Sequence, residues 1–161
     1  MTTLPRPTRV LALALAAPLL AACSGAVEVE TPPVDAADVK TCEKFVDSLP
    51  AELFGQERRD VSGSTTAAAW GAPPIVLQCG AKVPSEFDAF SSCSQIDDVG
   101  WFMPDSQLKD QSKDITLTAQ SHSPRVTVTV PATFRSNAPD AQLAVLGELV
   151  HEQLTETQPC V

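Results

Sequence analysis

Few residues in this chain have types and spacings that could do chemistry, and the first is the thiol of Cys23, which ends the run Leu20-Ala21-Ala22-Cys23. Ahead of it stand two arginines, Arg6 and Arg9, then an apolar stretch of about 13 residues from Val10 to Ala22, then small residues suited to a cleavage site. Cleavage before Cys23 would leave its thiol free to carry a diacylglycerol thioether and its new amine free to carry a third acyl chain. As a helix the apolar stretch spans roughly 20 Å, short of the ~30 Å hydrocarbon core of a bilayer. Membrane attachment therefore rests on lipid. One acyl chain binds marginally at about 0.8 kcal/mol per buried CH₂, whereas two or three hold firmly. The expected location is the extracytoplasmic face of the cell membrane, with residues 1–22 removed as a signal peptide.

The other reactive groups point to no complete catalytic set. Ser106-Gln107-Leu108-Lys109 has the S-x-x-K spacing in which a lysine helps to activate a serine for acyl transfer, but the S-D-N and K-T-G elements of that chemistry are absent. The segment reads as a surface loop. His122 and His151 are the only histidines, and both read as solvated, His122 in a turn and His151 on a helix beside Glu148 and Glu152. Asp97-Asp98 lacks the alternating oxygen donors that would make it half of a calcium site. Glycine-rich phosphate loops are missing, and no C-x-x-C spacing suggests zinc. No enzyme activity, cofactor or metal is expected.

Charge narrows the partners. Loss of the leader removes Arg6 and Arg9 from 11 basic residues and none of the 20 acids, leaving a formal charge of −11. Phosphate recognition needs several Lys or Arg on one face, and only Arg58 and Arg59 adjoin, so nucleic acid is not an expected partner. The expected partners are the membrane, through the lipid, and an envelope protein or small ligand.

Four cysteines remain once Cys23 is assigned to lipid: Cys42, Cys79, Cys93 and Cys160. An even count in an exported chain favours two disulfides, and four cysteines allow three pairings. The favoured pairing joins Cys79 to Cys93 across a short loop and Cys42 to Cys160 between the first and last helices.

The elements that would position these groups follow from periodicity. Residues 23–35, small, acidic and proline-containing, read as a lipidated cysteine and flexible tether, and residues 36–161 as a single domain. Val39, Cys42, Phe45, Val46 and Leu49 share one face of a helix predicted over Ala36–Leu49, capped by Asp35 and stopped by Pro50. Strands are predicted at Glu57–Ser62, Thr65–Trp70, Ile75–Cys79, Asp98–Met103, Ile115–Gln120 and Arg125–Val130. In the last of these, Val126, Val128 and Val130 alternate with threonines, and Ser121–Pro124 suits a tight connection to the strand before it. A closing helix is predicted from Ala138 to Thr157, capped by Asn137, with Pro139 in its first turn. The expected fold is α+β: a single antiparallel sheet of about six strands, with the N-terminal and C-terminal helices packed on one face.

The densest local signal is Trp70-Gly71-Ala72-Pro73-Pro74-Ile75-Val76-Leu77-Gln78-Cys79-Gly80. In these residues, in the lipobox and in the strand Arg125–Pro131, the chain resembles an actinobacterial family of exported lipoproteins built on a domain of unknown function, with a W-G-x-P-P-I-V-L-x-C-G core. The resemblance covers most of the mature chain and implies no activity. Gly71 and the two prolines would set a turn that aims Trp70. Trp70 and Trp101 then have two readings, as core aromatics or as the floor of a groove for an envelope ligand. The expected role is binding or scaffolding by a lipid-anchored envelope protein. The alternatives are a cell-wall hydrolase or transferase using Ser106 and Lys109, or an accessory subunit of a membrane complex.

Overall fold

The computed structural model describes residues 25–30, 32–136 and 139–160; the expected leader, Cys23 and the expected Asn137 cap lie outside them. In chain order the elements are β1 (Val27–Glu28), α1 (Val39–Asp47), β2 (Glu52–Leu53), β3 (Gln56–Arg59), β4 (Val61–Ser62), β5 (Ala67–Trp70), β6 (Ile75–Cys79), β7 (Ser94–Ile96), β8 (Val99–Phe102), α2 (Asp105–Lys109), β9 (Ile115–Ala119), β10 (His122–Ser123), β11 (Val126–Val130), α3 (Pro139–Gln153) and β12 (Thr155–Glu156).

Alternation builds the core face of the sheet. Val126, Val128 and Val130 point one way, and register sets Val128 between Leu77 and Leu117, and Val126 between Cys79 and Ala119. Trp101 extends the second row by pairing with Ala119. These residues and the apolar faces of α1 and α3 form a single buried cluster, so both long helices cover the same side. The opposite face carries the alternating threonines, of which Thr116 and Thr129 share a hydroxyl hydrogen bond of 3.0 Å.

The main sheet has eight strands in the order β2-β3-β5-β6-β11-β9-β8-β7, rather than about six, and its paired neighbours are antiparallel. The two extra strands are the edges, and each is made by a tight turn. Phe54 and Gly55 (φ 52° and 70°) fold β2 onto β3, and Asp97 and Asp98 (φ 52° and 59°) fold β7 onto β8. Two successive residues in the left-handed region match the twist of a two-residue hairpin, and aspartate tolerates that region. Asp97-Asp98 is thus a turn. The predicted strand Glu57–Ser62 divides into β3 and β4, and two small pairs stand outside the main sheet, β1 with β4 and β10 with β12.

The helices are shorter than periodicity suggested. α1 begins at Val39, and Asp35 contributes its backbone oxygen, which accepts from Asp38 and Val39, instead of a side-chain cap. Its C-terminal carbonyls are met by Arg58, which donates to Val46 at 2.8 Å and Leu49 at 3.0 Å. α3 ends at Gln153 because Thr155 and Glu156 leave it to pair with β10.

Two disulfides are present, joined as Cys42–Cys79 and Cys93–Cys160, with Cα separations of 5.3 Å and 5.5 Å. The expected pairing is corrected by strand order. Cys79 ends β6 and Cys93 precedes β7, and three strands, β11, β9 and β8, lie between them. At about 4.8 Å per strand that places them roughly 19 Å apart, far beyond disulfide reach. α1 instead packs on β6 and sets Cys42 over Cys79. The tail after α3 returns to the β7–β8 edge, where Gln95 Nε2 donates to the Cys160 carbonyl.

The described part of the expected tether is packed onto the domain. Val27 and Val29 donate backbone N–H bonds to Asp60 and Ser62 at 2.8 Å and 2.9 Å, Val29 is buried, and Val34 rests on the core cluster. Gly63 and Gly80, both at positive φ, leave room for it: a Cβ on Gly80 would stand 2.6 Å from Val34 Cγ1. The alternation of Val27 and Val29 is the sequence signal for this short strand.

Candidate functional site

Two adjoining cavities at the β7–β8 end of the sheet are the strongest candidate. The outer one, about 640 Å³, opens between the 86–94 loop and the segment that runs from Trp101 through α2. The inner one, about 390 Å³, lies toward α3. Ser94, Met103 and Leu108 belong to the walls of both.

The inner walls come from alternate residues of the core face: Ile115 and Leu117 of β9, Val130 of β11 and Ile96 of β7, closed by Leu143 of α3. Arg135 reaches the same space but is committed elsewhere. Its Nη1 donates to the carbonyls of Asp110 (2.7 Å) and Lys113 (2.8 Å), and its Nη2 to that of Gln107 (2.9 Å). Gln107 Oε1 accepts from the Thr116 N–H at 2.7 Å, so α2 is tied from both sides. These bonds fix the strap that carries Leu108.

The outer walls are different. Glu86, Asp88 and Asp105 contribute carboxylates, and among the described residues no Lys, Arg or His lines the cavity. Asp88 accepts from the Phe90 N–H and the Ser91 hydroxyl, and these bonds hold its carboxyl below the usual carboxylate range. Phe90 at the rim is 95% exposed, an unusual place for a phenyl ring. Behind it, Phe87 meets Phe102 edge to face at 5.1 Å.

The sequence candidates divide on this geometry. Trp70 is fully buried under the end of α1, with its indole N–H donated to Pro50 at 3.0 Å and Arg58 5.7 Å from its ring centre. Trp101 is equally buried; it touches the outer cavity, and its Nε1 has no acceptor among the described residues. An open groove floored by the two tryptophans is therefore replaced by one whose exposed aromatic is Phe90. Ser106 lines the outer cavity, whereas the Lys109 amine points at Asp105 Oδ2, 2.8 Å away on the exposed side of α2. Among the described residues no group of His, Cys, Asp and Glu is placed to hold a metal ion.

His122 is not solvated: it is 1% exposed, on β10, with Nδ1 2.8 Å from Ser121 Oγ. That hydroxyl also accepts from the Gly100 N–H at 3.0 Å. Burial pushes the imidazole pKa down, with Glu156 opposing and His151, ring centre 6.4 Å away, assisting. The Ser–His contact resembles a nucleophile and base, but Ser121 is also buried and lines neither cavity, so the bond serves the sheet edge. His151 is exposed.

Sequence reasoning missed the cavities because their walls come from four distant segments. The available signal was Phe87 with Phe90, two aromatics in a segment otherwise of acids, serines and one alanine. All four arginines of the described chain donate to backbone carbonyls: Arg58 and Arg135 as above, Arg59 to Gly71 and Gly25, and Arg125 to Ala81. No described helix is long and apolar enough to cross a membrane. Comparisons with curated proteins and with solved structures find no match. A family model described as protein of unknown function (DUF3515) matches residues 7–159, nearly the whole chain, which therefore belongs to that family.

Proposed function

We propose that this chain is a lipid-anchored cell-envelope protein, held by Cys23 on the outer face of the cytoplasmic membrane, whose domain binds a ligand at the paired cavities and catalyses no reaction. The observation that carries the binding role is the contrast between a mainly apolar hollow and an acidic one, two cavities that share Ser94, Met103 and Leu108 as walls. Ligand sites typically combine apolar walls of this kind with a few polar groups, in volumes of about 300–1,000 Å³. The two disulfides suit an oxidising compartment. The packed N-terminal segment adds a consequence for the anchor. Only Ser24 separates Cys23 from Gly25, whose carbonyl is held by Arg59 at 2.7 Å, so an acylated Cys23 would keep the domain close to the bilayer.

Mass spectrometry of the protein from membranes tests the anchor: the expected N-terminal peptide begins at an acylated Cys23, and Cys23→Ala should shift the protein to the soluble fraction. An unmodified Cys23 with detergent-independent release would refute it. For the binding role, Leu108→Glu, which puts a charge into the shared wall, should abolish ligand or partner crosslinks formed in intact cells. Labelling by a fluorophosphonate probe, lost on Ser106→Ala, would favour a hydrolase instead.

A further inference from the structure

We propose that the two cavities form one site for a small cationic amphiphile, with its aliphatic chain in the inner hollow and its ammonium-type head at the outer mouth. This rests on the binding role proposed above and names the ligand chemistry for it.

The inner hollow selects the chain. A cavity of about 390 Å³, partly open to solvent and walled mainly by Ile96, Ile115, Leu117, Val130 and Leu143, offers contacts to a flexible apolar guest. The nearby guanidinium spends three of its five N–H donors on the carbonyls of residues 107, 110 and 113, and the Asp140 carboxylate lines the same cavity and offsets its charge.

The outer mouth selects the head. Glu86 and Asp88 line a space whose described walls hold no cationic side chain, and the third carboxylate there, Asp105, is paired with the Lys109 amine at 2.8 Å through Oδ2. Phe90, exposed at the rim, is an aromatic ring of the kind that attracts a quaternary or alkylated ammonium. A chain with a formal −9 charge before processing repels anions at long range.

The shared wall joins the two preferences. Ser94, Met103 and Leu108 border both spaces, and Leu108 is 41% exposed, so an occupant passing it has one part in each environment.

Alkyltrimethylammonium ions from hexyl to decyl, kept below their micelle concentrations, are titrated calorimetrically into the mature chain, beside alkyl carboxylates of equal length. Each added methylene should tighten binding about fourfold until the hollow fills, as expected for ~0.8 kcal/mol per buried CH₂. Carboxylates should bind at least tenfold more weakly. The surface double variant Glu86→Gln/Asp105→Asn should lose most of that charge preference and keep the chain-length slope, whereas Leu108→Trp should flatten the slope. Binding independent of chain length, equal binding of both head groups, or no binding of any probe would each overturn the proposal. If the probes fail while Leu108→Glu still abolishes crosslinks in cells, the binding role stands and only the ligand class falls.

Discussion

The indole N–H of Trp70 donates to the Pro50 carbonyl at 3.0 Å and so ties β5 to the end of α1, whereas the equally buried Trp101 has no acceptor for its own among the described residues. Replacing either by phenylalanine removes ring volume, but only Trp70→Phe also breaks a hydrogen bond and strands a carbonyl. An unmatched buried partner costs about 1–3 kcal/mol. Urea unfolding should therefore show Trp70→Phe less stable than Trp101→Phe by roughly 1–2 kcal/mol. Equal losses would mean that the Trp101 N–H is satisfied in solution.

What the sequence made legible was periodicity. Val126, Val128 and Val130 announced a strand with one buried face, and Cys42, Phe45 and Leu49 announced the helix that covers it. The edge strands were not legible because they exist only through turns. Ser94–Ile96 is short and polar, and nothing in its composition marks a strand until Asp97 and Asp98 are seen to reverse the chain. Disulfide pairing and both cavities depend on sheet order, which sends neighbours in sequence to opposite ends of the sheet. Cys79 and Cys93 are the clearest case.

That topology makes the disulfides testable. Non-reducing peptide mapping should recover Cys42 with Cys79 and Cys93 with Cys160. With sequence separations of 37 and 67 residues, chain entropy assigns each about 4 kcal/mol. Cys42→Ala/Cys79→Ala should accordingly unfold at much lower urea, and a Cys79–Cys93 peptide would contradict the strand order.

A packed N-terminal segment behaves differently from a free lead. Val29 is 4% exposed, and burying a valine contributes about 1.5–3 kcal/mol. Val29→Ser should lower stability by roughly 2 kcal/mol, where a solvated tether would register nothing. Gly80→Ala should also destabilise, because its Cβ would meet Val34 Cγ1 at 2.6 Å. Adding Val34→Ala should recover part of that loss but not the part due to a φ of +84°.

Arg135 holds three carbonyls on the strap that carries Leu108, and a lysine offers a single ammonium without the planar fork. Arg135→Lys should cost about 2 kcal/mol and raise hydrogen exchange selectively over residues 107–116. Unchanged exchange there would show that α2 is held by its Gln107 contact with Thr116.

His122 predicts a pH dependence whose sign follows from its surroundings. Ser121 Oγ accepts from Gly100 N–H, which leaves its own proton for His122 Nδ1 and places a neutral ring between β10 and α3. Burial lowers the pKa of that ring from 6.5, the carboxylate of Glu156 across the strand pair opposes this, and His151 adds to it. Between the lowered folded value and the unfolded value near 6.5, the unfolded chain binds more protons, so stability falls as pH falls through that window. It is fully present above the unfolded pKa and lost to its full extent once pH is below the folded one. Asp88 and Asp110, both held low by hydrogen bonds, respond only in the more acidic carboxylate range. Thermal unfolding between pH 8 and pH 5 should therefore show a fall in Tm for the native chain that is much reduced in His122→Gln. Matching slopes for the two proteins would assign the response to other groups and remove the imidazole from the account.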